Sequence, residues 1–88
     1  SPACRIRKER RVEGCGVIQV HMEVEHGCIA ALAFFGDYFS LEDSGALVQR
    51  LLGVALEEGA LRAALDGCAI GRYFSRLDLD TFLSILLQ

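Results

Sequence analysis

Residues 17–25 read as a strand whose side chains alternate apolar and polar without a break from Ile18 onward. Ile18, Val20, Met22 and Val24 fall on one face; Gln19, His21, Glu23 and Glu25 fall on the other. A repeat of two fits a strand buried on one side, and a helix cannot present it. From residue 43 onward the spacing changes to threes and fours: Leu47, Val48, Leu51 and Leu52, then Leu61 and Leu65, then Phe82, Ile85 and Leu86. That spacing predicts helices. Strands first and helices afterwards, in 88 residues, predict an α+β domain of two layers. The strands form a three-stranded antiparallel meander, and the helices pack on one face of it.

The turns support the meander. Residues 5–12 form a first strand, with Ile6 and Val12 on one face and Arg5, Arg7, Glu9 and Arg11 on the other, ended by Glu13-Gly14. The alternating strand follows and closes at His26-Gly27, a tight-turn pair. Residues 28–35 form a third strand with little alternation. In simple phase, Ala30, Leu32 and Phe34 face one way, and Ile29, Ala31, Ala33 and Phe35 the other. Two apolar faces predict a strand covered on both sides. The helices of the chain supply one cover, and a second domain is expected to supply the other.

The helices carry their own stop signals. Asp43 or Ser44 is placed to cap the first, which runs to about Leu52 before Gly53. Glu57 and Glu58 suit the positive end of the second, which Gly67 ends. Asp78 is placed to cap the last, whose stripe is flanked by Leu83 and Leu87, so that this helix is apolar almost all round. Such a helix is buried or meets a partner.

Composition limits the function classes. An apolar content of 52% fits a packed globule. No apolar run approaches the ~20 residues of a membrane span, and no signal-peptide core is visible, so no membrane association and a cytoplasmic location are expected. Without an initiator Met, Ser1-Pro2 reads as a processing scar or the cut edge of a larger chain. Residues 1–13 carry five cations against two carboxylates, a net of +3, while the remainder carries −6. The basic stretch suits a charged edge strand that resists edge-to-edge association. It lacks aromatic interleaving and a broad positive footprint, so no nucleic-acid binding is expected.

Reactive candidates are few. Cys4, Cys15, Cys28 and Cys68 form no C-x-x-C pair and no zinc-finger spacing, and read as free thiols. Cys15 and Cys28 both open strands, which gives a reason to look for them near one another. His21 and His26, five apart, fall on opposite faces of an extended strand, which is poor ligand geometry, so no metal site is expected. Lys8 is the only lysine and reads as a solvated strand residue.

A set of motifs in fixed order now spans residues 14–87. Gly16-Val17-Ile18 opens the second strand; Val20, Val24, Gly27 and Ile29 follow; then come Gly36-Asp37-Tyr38-Phe39, Leu51-Leu52-Gly53, Leu61, Leu65, Tyr73-Phe74 and Asp80-Thr81-Phe82. In this order the chain resembles the small C-terminal accessory domain of lipoate–protein ligases, where a Gly-Asp-Phe-Phe stands at the third-strand end.

The resemblance implies one accessory domain over residues 1–88, with no catalytic domain in the chain and no catalysis by it alone. Such ligases activate lipoate with ATP to lipoyl-adenylate and pass the acyl group to a lysine. ATP, Mg and lipoate are implied at a partner catalytic domain, in cis or in trans, and none on this domain. Lipoyl acceptor domains are further implied partners. The family's Arg-Arg/Gly-Gly-Gly loop and catalytic lysine have no counterpart here; Gly14-Cys15-Gly16 is followed by no basic residue or helix start and is no phosphate cradle. The implied role is a lid that closes over the catalytic domain during activation and swings away for transfer. The expected contacts are Gly36, Asp37, Tyr38 and Phe39 with the outward side chains Ile29, Ala31, Ala33 and Phe35. Asp37 also suits a turn, and Tyr38 and Phe39 also suit a core.

The strand-then-helix order is similar as well to iron–sulfur scaffold and sulfur-acceptor proteins. Those place a thiol on the loop after a strand, where this chain has Gly36-Asp37-Tyr38. Asp66-Gly67-Cys68 is the one loop thiol that sustains this alternative.

Overall fold

The structure is a computed structural model and describes residues 3–88; the Ser1-Pro2 edge lies outside the described residues. Strands β1 (Cys4–Val12), β2 (Gly16–Glu25) and β3 (Cys28–Tyr38) form an antiparallel sheet in the order β1-β2-β3. Helices α1 (Gly45–Leu51), α2 (Glu58–Ala64), α3 (Ile70–Tyr73) and α4 (Leu79–Leu87) follow. The chain is therefore the expected α+β meander with a helical layer. Two elements differ from expectation: β3 runs three residues further, to Tyr38, and the four-residue α3 is too short to leave a readable period.

Both hairpins close on residues suited to them. His26 (φ 52°) and Gly27 (φ 76°) form the two-residue β2–β3 turn, with both residues left-handed as the twist of the flanking strands demands. The β1–β2 turn holds Glu13, Gly14 and Cys15, and the Cys15 N–H donates to the Val12 carbonyl at 3.0 Å.

Alternation sends Ile18, Val20 and Met22 of β2 and Leu32 and Phe34 of β3 into one core with Leu47, Leu51, Leu61, Leu65, Ile70, Phe74 and Leu77. From α4, Phe82, Leu83, Ile85 and Leu86 join it, so the nearly all-apolar helix is explained by burial within this chain. The centre is aromatic. Phe34 meets Phe74 edge-on at 5.0 Å between centroids, and Phe74 stacks on Phe82 at 5.7 Å.

The caps follow the sequence in part. Asp78 accepts a hydrogen bond from the Thr81 N–H at 2.8 Å and opens α4. Ser44 occupies the N-cap of α1 without a side-chain bond, while Asp43 Oδ1 accepts from the Gly45 N–H. Gly53 and Gly67 both take positive φ after their helices.

Two expectations are corrected. Cys15 and Cys28 lie at opposite ends of β2, one before Gly16 and the other paired with Glu25, and all four cysteines are free thiols. Ten residues of strand span roughly 30 Å, far beyond disulfide reach. Ile29 is fully buried and does not face outward. Val24 pairs with Ile29 but Glu23 pairs with Ala31, so Ala30 is an extra residue in a β-bulge. The bulge shifts the phase of the strand by one: Ile29 points into the core, and Ala31, Ala33 and Phe35 keep the outward face.

Candidate docking surface

The helices cover one side of the sheet. On the other side the register sets four cross-strand rows: Arg5, Glu23 and Ala31; Arg7, His21 and Ala33; Glu9, Gln19 and Phe35; Arg11, Val17 and Asp37. Over the first three rows the face is graded, with charge along β1, polar groups along β2 and apolar side chains along β3. Phe35 is 50% exposed and rests against the His21 ring, with 4.8 Å between centroids. The Arg5 guanidinium donates to Glu23 at 3.2 Å, and Gln19 donates to Glu9 at 2.9 Å.

The small side chains of Ala31 and Ala33 leave a groove of about 250 Å³ between the Arg5–Glu23 pair and the row of Arg7 and His21. Arg7 has no side-chain hydrogen bond or ion pair among the described residues. Alternation along each strand had placed these side chains on this face. Which of them share a row depends on turn length and register, and no single strand shows that.

The expected loop divides into separate roles. Gly36 has φ 116°, and a Cβ there would lie 2.3 Å from the Val17 carbonyl oxygen, so the position demands glycine. Asp37 is exposed, opposite Val17. Tyr38 is half-buried, its ring 4.9 Å from that of Phe74. Phe39 is 75% exposed, as is the neighbouring Leu41 at 76%. The loop that carries them is pinned: Phe39 donates to Cys15 O, Ser75 donates to Phe39 O, and Leu41 and Glu42 both donate to Arg72 O. The Arg72 guanidinium also pairs with Glu42. Leu41 had no sequence signal beyond being one more apolar residue near a turn.

Two expected surface groups have structural work. Lys8 points to the helical side, and its Nζ donates to the Leu86 carbonyl at 2.8 Å, in the last turn of α4. Burial lowers its pKa, and Arg10 nearby adds to that. Arg10 donates to Ser84 Oγ at 3.3 Å on the same helix. Cations at a helix C-terminus meet the negative end of its dipole.

Cys68 is half-buried against the core. His21 lies on the outer sheet face and His26 in the hairpin turn. No group of three or more His, Cys, Asp or Glu side chains that could hold a metal comes together among the described residues. Among those residues, no helix is long and apolar enough to cross a membrane.

The fold and this face define a class: a small meander domain with one sheet face backed by helices and the other open. The family model described as the bacterial lipoate protein ligase C-terminus matches residues 1–86, and the chain belongs to that family. It is 28% identical over 86 residues to lipoate-protein ligase LplJ of Bacillus subtilis (strain 168), covering 98% of this chain and 26% of the relative. It is 27% identical over 80 residues to a lipoate–protein ligase of Streptococcus pyogenes serotype M5 (strain Manfredo), covering 91% and 23%. The chain thus spans about a quarter of the length of these curated relatives.

Proposed function

We propose that this chain is the accessory domain of a cytoplasmic lipoate–protein ligase, a single unit over residues 1–88 that assists ATP-dependent activation of lipoate to lipoyl-adenylate. Membership of the ligase C-terminal family, matched over residues 1–86, carries the reading. The domain docks on or closes over a catalytic domain, in cis or in trans, that holds ATP, Mg and lipoate. A mixed anhydride hydrolyses in water, and a lid that excludes water protects it. Transfer to a lipoyl acceptor domain then requires the lid to move away. The contact surface in this reading comprises Ala31, Ala33, Phe35 and Asp37 on the open face and Phe39 beyond it; Ile29, Gly36 and Tyr38 support that surface from within.

The sulfur-acceptor alternative through Cys68 gains no specific observation, since that side chain packs against the core.

The test is pyrophosphate release from ATP and lipoate by the cognate catalytic domain, produced separately, with and without this chain. Stimulation on mixing is the expected result. No stimulation, with a folded chain and a catalytic domain shown to bind lipoate, rejects the role.

A further inference from the structure

We infer that the open sheet face receives an apolar side chain flanked by a carboxylate, presented by the catalytic part of the ligase, with Arg7 as the anion partner and the Ala31–Ala33 hollow as the socket. The inference rests on the accessory-domain reading and adds which face docks and what chemistry it selects.

Three observations carry it. First, the size of the face suits the task. Three strands about 4.8 Å apart and roughly 30 Å long present about 450 Å². Counted on both partners, this falls inside the roughly 600–1,500 Å² of interfaces between domains of one protein. The relatives have the chain to cover it, since about three quarters of their length lies outside the matched region.

Second, the face has an unfilled hollow. The groove of about 250 Å³ exists because Ala31 and Ala33 stand where larger side chains would fill it. Its walls are the Arg5–Glu23 pair on one side and Arg7 with His21 on the other. Phe35, braced on His21, lies one row further along and offers an aromatic edge to whatever enters.

Third, charge selects the neighbour of that side chain. Arg5 is already matched by Glu23, and Glu9 already accepts from Gln19. Arg7, between them on β1, is matched by nothing among the described residues. A partner that covers this face takes the Arg7 guanidinium out of water, and an unpaired charge is costly there. The partner must therefore bring an anion to that point. Arginine's planar fork favours a carboxylate that accepts two hydrogen bonds.

The experiment measures the dissociation constant between the full 88-residue chain and the separately produced cognate catalytic domain, alongside pyrophosphate release. Ala33→Phe fills the hollow and Arg7→Glu reverses the charge; both positions are on the surface, and circular dichroism checks that each variant is folded. Each variant is expected to weaken binding at least tenfold. In Arg7→Gln the salt dependence of binding is expected to be flatter than in the wild type. Leu52→Ser, at the exposed end of α1 on the helical side, is expected to change binding less than twofold. Wild-type binding with Ala33→Phe and Arg7→Glu both unaffected overturns the choice of face and leaves the accessory role standing. Loss of binding in Leu52→Ser alone also overturns it and moves the contact to the helical side. No wild-type binding to a competent catalytic domain overturns the accessory role and this inference together.

Discussion

Gly16 and Gly36 show how far single positions constrain this sheet. A Cβ at Gly16 would lie 2.2 Å from the Asp37 carbonyl oxygen, and one at Gly36 lies nearly as close to Val17. At Gly27 the same atom meets nothing, although φ is also positive. Gly27→Ala therefore carries only the left-handed backbone cost of roughly 1–2 kcal/mol. Gly36→Ala adds a backbone collision and is expected to cost about 2 kcal/mol more than that. Urea denaturation of the two variants measures the difference, and equal midpoints would mean that crowding at Gly36 is relieved by strand movement. Ionisation at the residue scale has a definite sign. Burial raises the pKa of the Cys15 thiol, and burial followed by the charge of Cys15 raises that of Tyr38. A raised folded pKa stabilises the protonated form. That contribution is complete below the unfolded values, about 8.5 for a thiol and about 10 for a phenol, and is lost as pH rises through the folded ones. Lys8, lowered by burial, runs the opposite way. Wild-type stability is expected to fall more between pH 8 and 10 than that of Cys15→Ala, as chemical denaturation across that range would measure. Most residues of the candidate surface were legible one at a time, because alternation alone puts Arg7, His21, Ala31, Ala33 and Phe35 on some face of a strand. Ile29 was not, because the extra residue at Ala30 leaves no mark in the pattern beyond weak alternation.

At the scale of elements, β2 was the most legible piece and α3 the least. The eight alternating residues 18–25 cannot be mistaken for a helix, whereas four residues offer one turn and no period. The capping signal at Asp78 was also legible, since it depends on an oxygen three residues ahead of an amide. Its carboxyl is held below the usual range first by the bond from the Thr81 N–H. A lowered folded pKa makes that support complete above the unfolded value near 4 and lost as pH falls through the folded one. Asp78→Ala is expected to lower the melting temperature at pH 7 and to have a smaller effect at pH 2. An equal loss at both would show that packing around Asp78 matters more than its charge. The other end of α4 depends on a distant strand. Lys8→Ala removes the donor to Leu86 and is expected to cost about 1 kcal/mol. Hydrogen exchange should then quicken first at the amide of Gln88, which donates to Ser84 in the same turn. Unchanged exchange there would mean that the apolar face of α4 holds the turn without Lys8. The order of strand 1 and helix 4 along the chain gave no warning of this contact, because a lysine among arginines on an edge reads the same whether it meets water or a carbonyl.

The molecule as a whole draws its stability from one core. A domain of this length has a net stability on the order of 5–10 kcal/mol. Phe82→Ala, which removes a ring stacked on Phe74 and close to Phe34, is expected to cost about 3–5 kcal/mol of it. Thermal unfolding would show this as a fall of many degrees, and a shift of only a few would mean that the core collapses around the gap. No crosslink shares the load, since all four cysteines are free. The architecture was legible because the change from a period of two to one near four falls once, midway along the chain. The partner proposed for the open face was not, because an uncovered surface and a covered one are built from the same side chains. The bonds from Lys8 and Arg10 to α4 join residues 78 and 74 positions apart. They turn an open chain into a closed loop, in which the first strand and the last helix hold each other. A pull on β1 is therefore handed directly to the far end of the sequence. That tie and the shared core couple the two layers, which is the mechanical property the proposed lid requires.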